Sequence, residues 1–322
     1  MTTRRRAWVF ILLLLVCAAG APPLAAQTTQ PTAIRGVLIV SIDGLRADVL
    51  LRADAPTLRG LMRRGSFSMW ARTTPQSITL PSHVSMLTGV SPDTHGIQWN
   101  GDLPLARPVY PPSPTLFELA HRAGLKTAMV SGKRKLDALL VPGTVDAHWI
   151  TREGADADAV VADEAVQLVQ SHAPDVLFVH FAEVDTVGHA KGWGSTEQLR
   201  AVENADACLA RVLAAVEATG KLPGMLVIVS ADHGGSARGH GPDDVRSRTI
   251  PWIAAGPGVR ANFDLTLLGR DFDIQTYDTF ATACEALGLR VVRRVEGRPV
   301  RAIFESVELM QPTGRREAPS PD

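Results

Sequence analysis

Five predominantly apolar runs recur along the chain: Gly36 to Ile42, Lys126 to Ser131, Asp175 to Phe181, Met225 to Ser230 and Trp252 to Ala255. Runs without apolar–polar alternation belong to strands covered on both faces. Helical patterns lie between them, at Leu116 to Ala123, Asp158 to Ser171 and Thr196 to Thr219. In the last, apolar residues fall at 199, 202, 205, 209, 213 and 216, the spacing of one helix face. Alternating strands and helices predict an α/β fold, a three-layer αβα sandwich around a mostly parallel sheet. In such a sheet the carboxyl ends of the strands share one crevice, so residues far apart in sequence can meet there.

The first 26 residues stand apart. Arg4, Arg5 and Arg6 precede an apolar stretch from Trp8 to Ala19, and Leu24-Ala25-Ala26 supplies a small-residue cleavage site. The apolar stretch is shorter than the ~20 residues a spanning helix needs. It is therefore expected to be a signal peptide, which makes the protein exported, periplasmic or secreted, with no transmembrane span after cleavage. Leu14-Leu15-Val16 before Cys17 is a poor lipidation signal. Taking three arginines from a balance of 33 basic and 33 acidic residues leaves a net charge of −3. A nucleic-acid surface would require a basic excess. Residues 27–35 read as a linker, 36–310 as a single domain, and 311–322 as a polar, Pro-rich disordered tail. The segment VVRRVEGRPVRAIF reads as an edge hairpin around Glu296-Gly297-Arg298-Pro299. Cys208 and Cys284 fall in predicted helices, and their pairing is open at this level.

Chemistry-bearing residues follow the apolar runs. Asp43 succeeds the first, where it is either a metal ligand or the N-cap of a helix at Ala47–Ala53. Thr79 opens a helical stretch in Ser77-Ile78-Thr79-Leu80-Pro81-Ser82-His83. A hydroxyl there is either a nucleophile at a phosphate-favouring helix N-terminus or simply a cap. Asp185 and His189 are four apart, so one helical turn would place both on one face, and their donors suit zinc. Asp232 and His233 are neighbours, and in extended chain their side chains point opposite ways. His240, seven residues on, is the last histidine. Asn100 precedes Gly101 as a turn residue would. Lys133, in Ser131-Gly132-Lys133-Arg134-Lys135, is either a clamp for a dianionic phosphate or part of a solvated loop.

Together Asp43, Thr79, Asp185-xxx-His189, Asp232-His233 and the later histidine resemble the alkaline phosphatase superfamily. The context TLPSHVSMLTGVSPDTHGI is similar to its type I phosphodiesterase/nucleotide pyrophosphatase branch. The resemblance covers roughly residues 36 to 256 and implies two zinc ions about 4 Å apart. It implies one zinc on Asp185, His189 and His240, and the other on Asp43, Asp232 and His233 with the Thr79 oxygen nearby. Asn100 would contact a phosphoryl oxygen, and Lys133 matches a basic residue used by some monoesterases. In that branch a long segment separates Asp-His-Gly from the final histidine, whereas here the gap is seven residues.

The implied reaction is in-line attack by Thr79 on phosphorus, with a phosphothreonine intermediate that water then hydrolyses. A small-molecule phosphodiester or nucleotide pyrophosphate is the expected substrate. The alternatives are a phosphomonoesterase, favoured by Lys133, or an inactive metal-binding relative. Sulfatases use a modified Cys or Ser, which Thr79 cannot become. His83 and His95 are expected to orient loops. Trp99, Trp193 and Trp252 are candidates for stacking on a base, with packing the commoner fate of tryptophan.

Overall fold

The computed structural model describes residues 33–101, 108–152, 157–269 and 272–304. Its strands are β1 (Gly36–Ile42), β2 (Ser66–Arg72), β3 (Thr127–Ser131), β4 (Ala147–Ile150), β5 (Val176–Phe181), β6 (Met225–Ser230), β7 (Thr249–Ala255) and β8 (Phe263–Asp264). Its helices are α1 (Ala47–Arg52), α2 (Pro56–Arg63), α3 (Thr79–Thr88), α4 (Pro92–His95), α5 (Leu116–Arg122), α6 (Asp158–His172), α7 (Glu183–Lys191), α8 (Thr196–Ala218), α9 (Val245–Arg248) and α10 (Asp278–Ala286).

The strands form one sheet in the order β4-β3-β5-β1-β6-β7-β2-β8. From β4 to β6 all neighbours are parallel. β7 runs antiparallel to β6 and to β2, and β8 is parallel to β2. The sheet is thus mostly parallel, as the apolar runs require. β1, β3, β5 and β6 are buried along their whole lengths. Helices cover both faces: α8 packs against α1, α2, α6 and α7, while α10 packs against α3 and α5. The three-layer αβα expectation holds.

Register fixes where the chemistry goes. In the central strands Ser41 lies opposite His180 on β5 and Ser230 on β6. The chain therefore leaves β1, β5 and β6 at one edge, carrying Asp43, Asp185 and Asp232 to the same end. The backbone N–H of Asp43 donates to the Phe181 carbonyl at 2.9 Å, which ties two of these exits together.

Three readings of the sequence need correction or completion. The expected hairpin at VVRRVEGRPVRAIF is not one. The Glu296 and Gly297 N–H groups donate to the Gly89 carbonyl, Arg298 N–H to Asp278 and Val300 N–H to the Thr282 hydroxyl. Side chains and a helix end satisfy that backbone, leaving it no strand partner beyond a bridge between Val259 and Phe304. β2, β4 and β8 are strands that the apolar runs do not announce. Cys208 and Cys284 are both free and buried. Residues 1–26 and 311–322 lie outside the described residues, among which no helix is long and apolar enough to cross a membrane.

Candidate metal centre

Asp43 leaves β1 and is fully buried. It does not cap a helix, since the N-cap position of α1 is Arg46, with no capping side-chain bond. Gly44 follows with φ +70°, and a Cβ there would lie 2.9 Å from the Asp185 Cα. Only glycine lets this turn press against the start of α7. α7 supplies the helical turn expected of Asp185 and His189, whose His189 Nε2 stands 3.4 Å from Asp185 Oδ1. Glu183, the neighbouring acid, turns away to Asn204.

Thr79 is the first residue of α3, and the cap position before it, Ile78, makes no side-chain bond. The Thr79 hydroxyl is thus not the N-cap, and the nearby Ser82 Oγ is held by Thr73 and Thr74. The buried Thr79 Oγ1 instead lies 3.4 Å from His233 Nε2. Asp232 and His233 follow β6 and do not diverge as extended neighbours would. Asp232 Oδ1 accepts from the His233 N–H at 2.9 Å and the Gly44 N–H at 3.1 Å, curling the chain so that Asp232 Oδ2 sits 3.3 Å from His233 Nε2.

All three site histidines are held the same way. The Nδ1–H of His189 donates to Arg238 O at 3.0 Å, that of His233 to Gly234 O at 2.9 Å, and that of His240 to Ser77 O at 2.7 Å. A carbonyl can only accept, so each neutral ring keeps its proton on Nδ1 and its lone pair on Nε2. The Nε2 atoms converge on carboxylates: His240 Nε2 lies 3.8 Å from Asp185 Oδ1 and His233 Nε2 3.5 Å from Asp43 Oδ1. Asp43 Oδ1, Asp185 Oδ1 and Asp232 Oδ2 are buried with no hydrogen-bond partner. Such oxygens are costly unless something cationic meets them. Ligand atoms of Asp185, His189 and His240 lie within 4.8 Å of one another, as do those of Asp43, Asp185 and His233. Orphaned carboxylate oxygens facing imidazole Nε2 atoms fit a divalent metal such as zinc.

Charge follows the same logic. Burial would raise Asp43, but Lys133, His180 and His233 hold it well below the usual carboxylate range. Burial and then Asp43 push Asp232 up. Burial would lower His233, yet Asp232, Asp185 and Asp43 raise it. Burial and then His233 bring His240 down to about 4, so its ring is neutral at ordinary pH.

Asn100 accepts the Leu80 N–H on its Oδ1 at 3.0 Å, which leaves its amide N–H₂ to donate beside Thr79. Lys133 reaches the centre, but its Nζ lies 2.8 Å from Asp43 Oδ2 and 2.5 Å from Asp185 Oδ2. His83 and His95 make the loop-orienting bonds expected of them, His83 to Thr79 O and Ser41 Oγ, His95 to Ser85 Oγ and the Ile97 N–H. Trp252 is fully buried and Trp193 nearly so, and their N–H groups are spent on Thr279 and Gly44, so neither offers a stacking face. The sequence reading misses His180, whose Nε2 donates to Asp43 Oδ2 at 2.9 Å. Its signal is a lone polar residue inside the apolar strand VLFVHF.

A family model described as type I phosphodiesterase / nucleotide pyrophosphatase matches residues 37–240, more than half of the chain. The chain belongs to that family. The match ends on His240, the last member of the cluster. An uncharacterised pyrophosphatase/phosphodiesterase of Schizosaccharomyces pombe is 24% identical over 216 residues, covering 62% of this chain and 44% of its own. The mouse protein named bis(5'-adenosyl)-triphosphatase enpp4 is 27% identical over 213 residues, covering 62% and 46%. The chain thus spans less than half the length of either relative. Among solved structures, murine ectonucleotide pyrophosphatase / phosphodiesterase 5 superposes with a TM-score of 0.68 at 14% identity, over 84% of this chain and 100% of that one. The fold is that of the alkaline phosphatase superfamily.

Proposed function

We propose that this protein is an exported, dinuclear zinc phosphoester hydrolase that cleaves phosphodiester or nucleotide pyrophosphate bonds through a phosphothreonine on Thr79. One observation carries the reading. Three imidazole Nε2 atoms face three unpartnered carboxylate oxygens, and a buried threonine hydroxyl that caps nothing lies 3.4 Å from one of them, His233 Nε2. Asp185, His189 and His240 would hold one ion, and Asp43, Asp232 and His233, with the Thr79 oxygen, the other. A pair of zinc ions, when bound, supplies a lowered hydroxyl pKa and charge compensation for the leaving oxygen.

The chain's own groups do the rest. Thr79 Oγ1 forms a bond to phosphorus as the bond to the leaving oxygen breaks in line, and water later cleaves the Thr79 ester. The Asn100 amide donates to a non-bridging phosphoryl oxygen, where charge develops. His83 takes no proton in this scheme, because its Nδ1–H is given to Thr79 O and its Nε2 accepts from Ser41. His189 is the most exposed ligand, its side chain 46% accessible, so substrate enters from its side. The name of the mouse relative supports a nucleotide pyrophosphate substrate. The monoesterase alternative leaned on Lys133 as a phosphate clamp, and that ammonium is engaged by two carboxylates.

The test uses the chain from Gln27 onward, purified with zinc. Turnover of bis-p-nitrophenyl phosphate, thymidine 5'-p-nitrophenyl phosphate and p-nitrophenyl phosphate is compared with that of Thr79→Ala. Preference for either diester, lost in the variant, is the expected result. Preference for the monoester would replace this reading with a phosphatase. Absence of zinc-dependent turnover on all three would overturn it.

A further inference from the structure

Lys133 divides the two carboxylates that it touches. Its ammonium takes Oδ2 of Asp43 and Oδ2 of Asp185. The opposite oxygens, Asp43 Oδ1 and Asp185 Oδ1, are the ones left without a hydrogen bond, and they face the Nε2 atoms of His233, His189 and His240. The lysine therefore stands behind the ligand set and leaves the metal-facing oxygens free. It is also held there. Its N–H donates to Ser131 Oγ at 3.2 Å, and the Ser131 hydroxyl donates back to the Lys133 carbonyl at 3.0 Å. Gly132 before it is closely packed, since a Cβ there would meet Val161 at 3.0 Å and Ala182 at 3.2 Å. With carboxylate oxygens of Asp43 and Asp185 at 2.8 and 2.5 Å, its Nζ is placed as an ammonium between two anions.

A buried cation so placed acts in opposite senses on two forms of such a centre. Without a divalent ion it compensates carboxylates that would otherwise repel one another. With one bound to the opposite oxygens it becomes a like charge a few ångströms away in a poorly screened interior. We propose that Lys133 is a built-in counter-cation, one that stabilises the metal-free centre and lowers the affinity with which the same carboxylates bind a divalent metal. The inference rests on the reading of this cluster as a metal centre.

Lys133→Met and Lys133→Arg test it in the full chain, with zinc and cobalt as probes. Metal affinity is read by competition with a chromophoric chelator, and the melting temperature is taken after chelator treatment. In Lys133→Met the chelator-treated protein should melt lower, while the metal should bind about tenfold to a hundredfold more tightly, the size expected for removing one nearby like charge. Lys133→Arg should keep both wild-type values. A residue that only packs would lower stability and affinity together, and that result overturns the proposal. So does unchanged affinity and stability with a raised KM, which would make Lys133 a substrate contact. Should Lys133→Met fail to fold, Lys133→Gln is measured against Lys133→Arg with the same expectations. Wild-type protein that binds neither zinc nor cobalt would instead remove the metal-centre reading itself. Wild-type binding with no tightening in the neutral variants removes only the role of Lys133.

Discussion

His233 and His240 stack face to face, their ring centroids 3.7 Å apart and their planes 18° from parallel. Each ring is pinned through Nδ1 to a carbonyl, one on its own loop at Gly234 and the other at Ser77, two residues before Thr79, the proposed nucleophile. The stack joins the two proposed ligand groups, and Ser77 couples both to Thr79. Ser77 holds a left-handed φ of 50°, a conformation that few non-glycine residues adopt and that turns its carbonyl to this use.

Replacing His240 should therefore separate the two ions. In His240→Asn, metal analysis is expected to find one tightly held zinc per chain, against two expected for wild type. Turnover should fall on the order of 10²-fold or more, as expected when one ion of a two-metal clamp is lost. Two retained zincs with normal turnover would exclude His240 as a ligand.

His180 acts through Asp43. Its ring donates to Asp43 Oδ2 and reaches back to Ser131 Oγ at 3.4 Å, and it is wholly buried. Groups that orient a metal ligand in this way typically contribute 10- to 100-fold to metal affinity. His180→Phe should weaken zinc binding by about that factor, with His180→Gln, which keeps a donor near the Nε2 position, recovering part of it. Chelator competition on the three proteins decides the matter.

Trp193 braces three segments of the site at once. Its indole N–H donates to Gly44 O at 2.8 Å, its backbone N–H donates to Ala237 O at 2.8 Å, and its ring stands edge-on to His189. Trp193→Phe leaves a buried carbonyl without its donor and should cost about 1–3 kcal/mol in denaturant unfolding. Gly235→Ala should cost more, since its Cβ would come within 2.3 Å of the same ring. A Gly235→Ala protein as stable as Trp193→Phe or more so would contradict this packing.

Asp158 gives a pH signature away from the metal ligands. Its Oδ1 accepts the N–H groups of Ala182 and Glu183 at the start of α7, while Oδ2 has no partner. Burial, and then Glu183, raise its carboxyl to about 7. A raised carboxyl binds more protons folded than unfolded, so its contribution is present below the unfolded pKa and is lost as pH rises to about 7. The Asp158→Asn variant, which cannot ionise, should gain on wild type by at most about 4 kcal/mol between pH ~4 and pH ~7, and by nothing further above that. A stability difference that does not change with pH would show that Asp158 is not protonated in the folded protein.

How much of this was legible beforehand depended on how each residue is buried. β1, β5 and β6 announce themselves because both faces are covered, and the candidate ligands that follow them are legible for that reason. β2 hides because it alternates: Ser66, Ser68 and Ala71 are buried, whereas Phe67 and Met69 are only partly covered and Trp70 is exposed. The segment around Glu296 has strand-like residues, but its hydrogen bonds go to α3 and α10, a tertiary choice that β-propensity cannot express. Lys133 was visible as a basic residue after a strand. Its engagement by Asp43 and Asp185 was not, because that depends on three strand exits meeting in register. The curl at Asp232 was hidden for a similar reason, as it follows from a hydrogen bond and not from strand periodicity.

The reversal at β7 has a consequence for how such proteins vary. Because β7 returns antiparallel beside β6, everything from Asp232 to His240 rides on one connection between adjacent strands, with no helix crossing the sheet in between. Such a connection can lengthen without disturbing strand order, since loops tolerate insertion far better than the elements that they join. The stretch between His240 and α9 is thus a natural graft point. A substrate-selecting module spliced there would leave Asp43, Asp185 and the β1–β5–β6 exits where they are, and removing it again would return the present arrangement of strands.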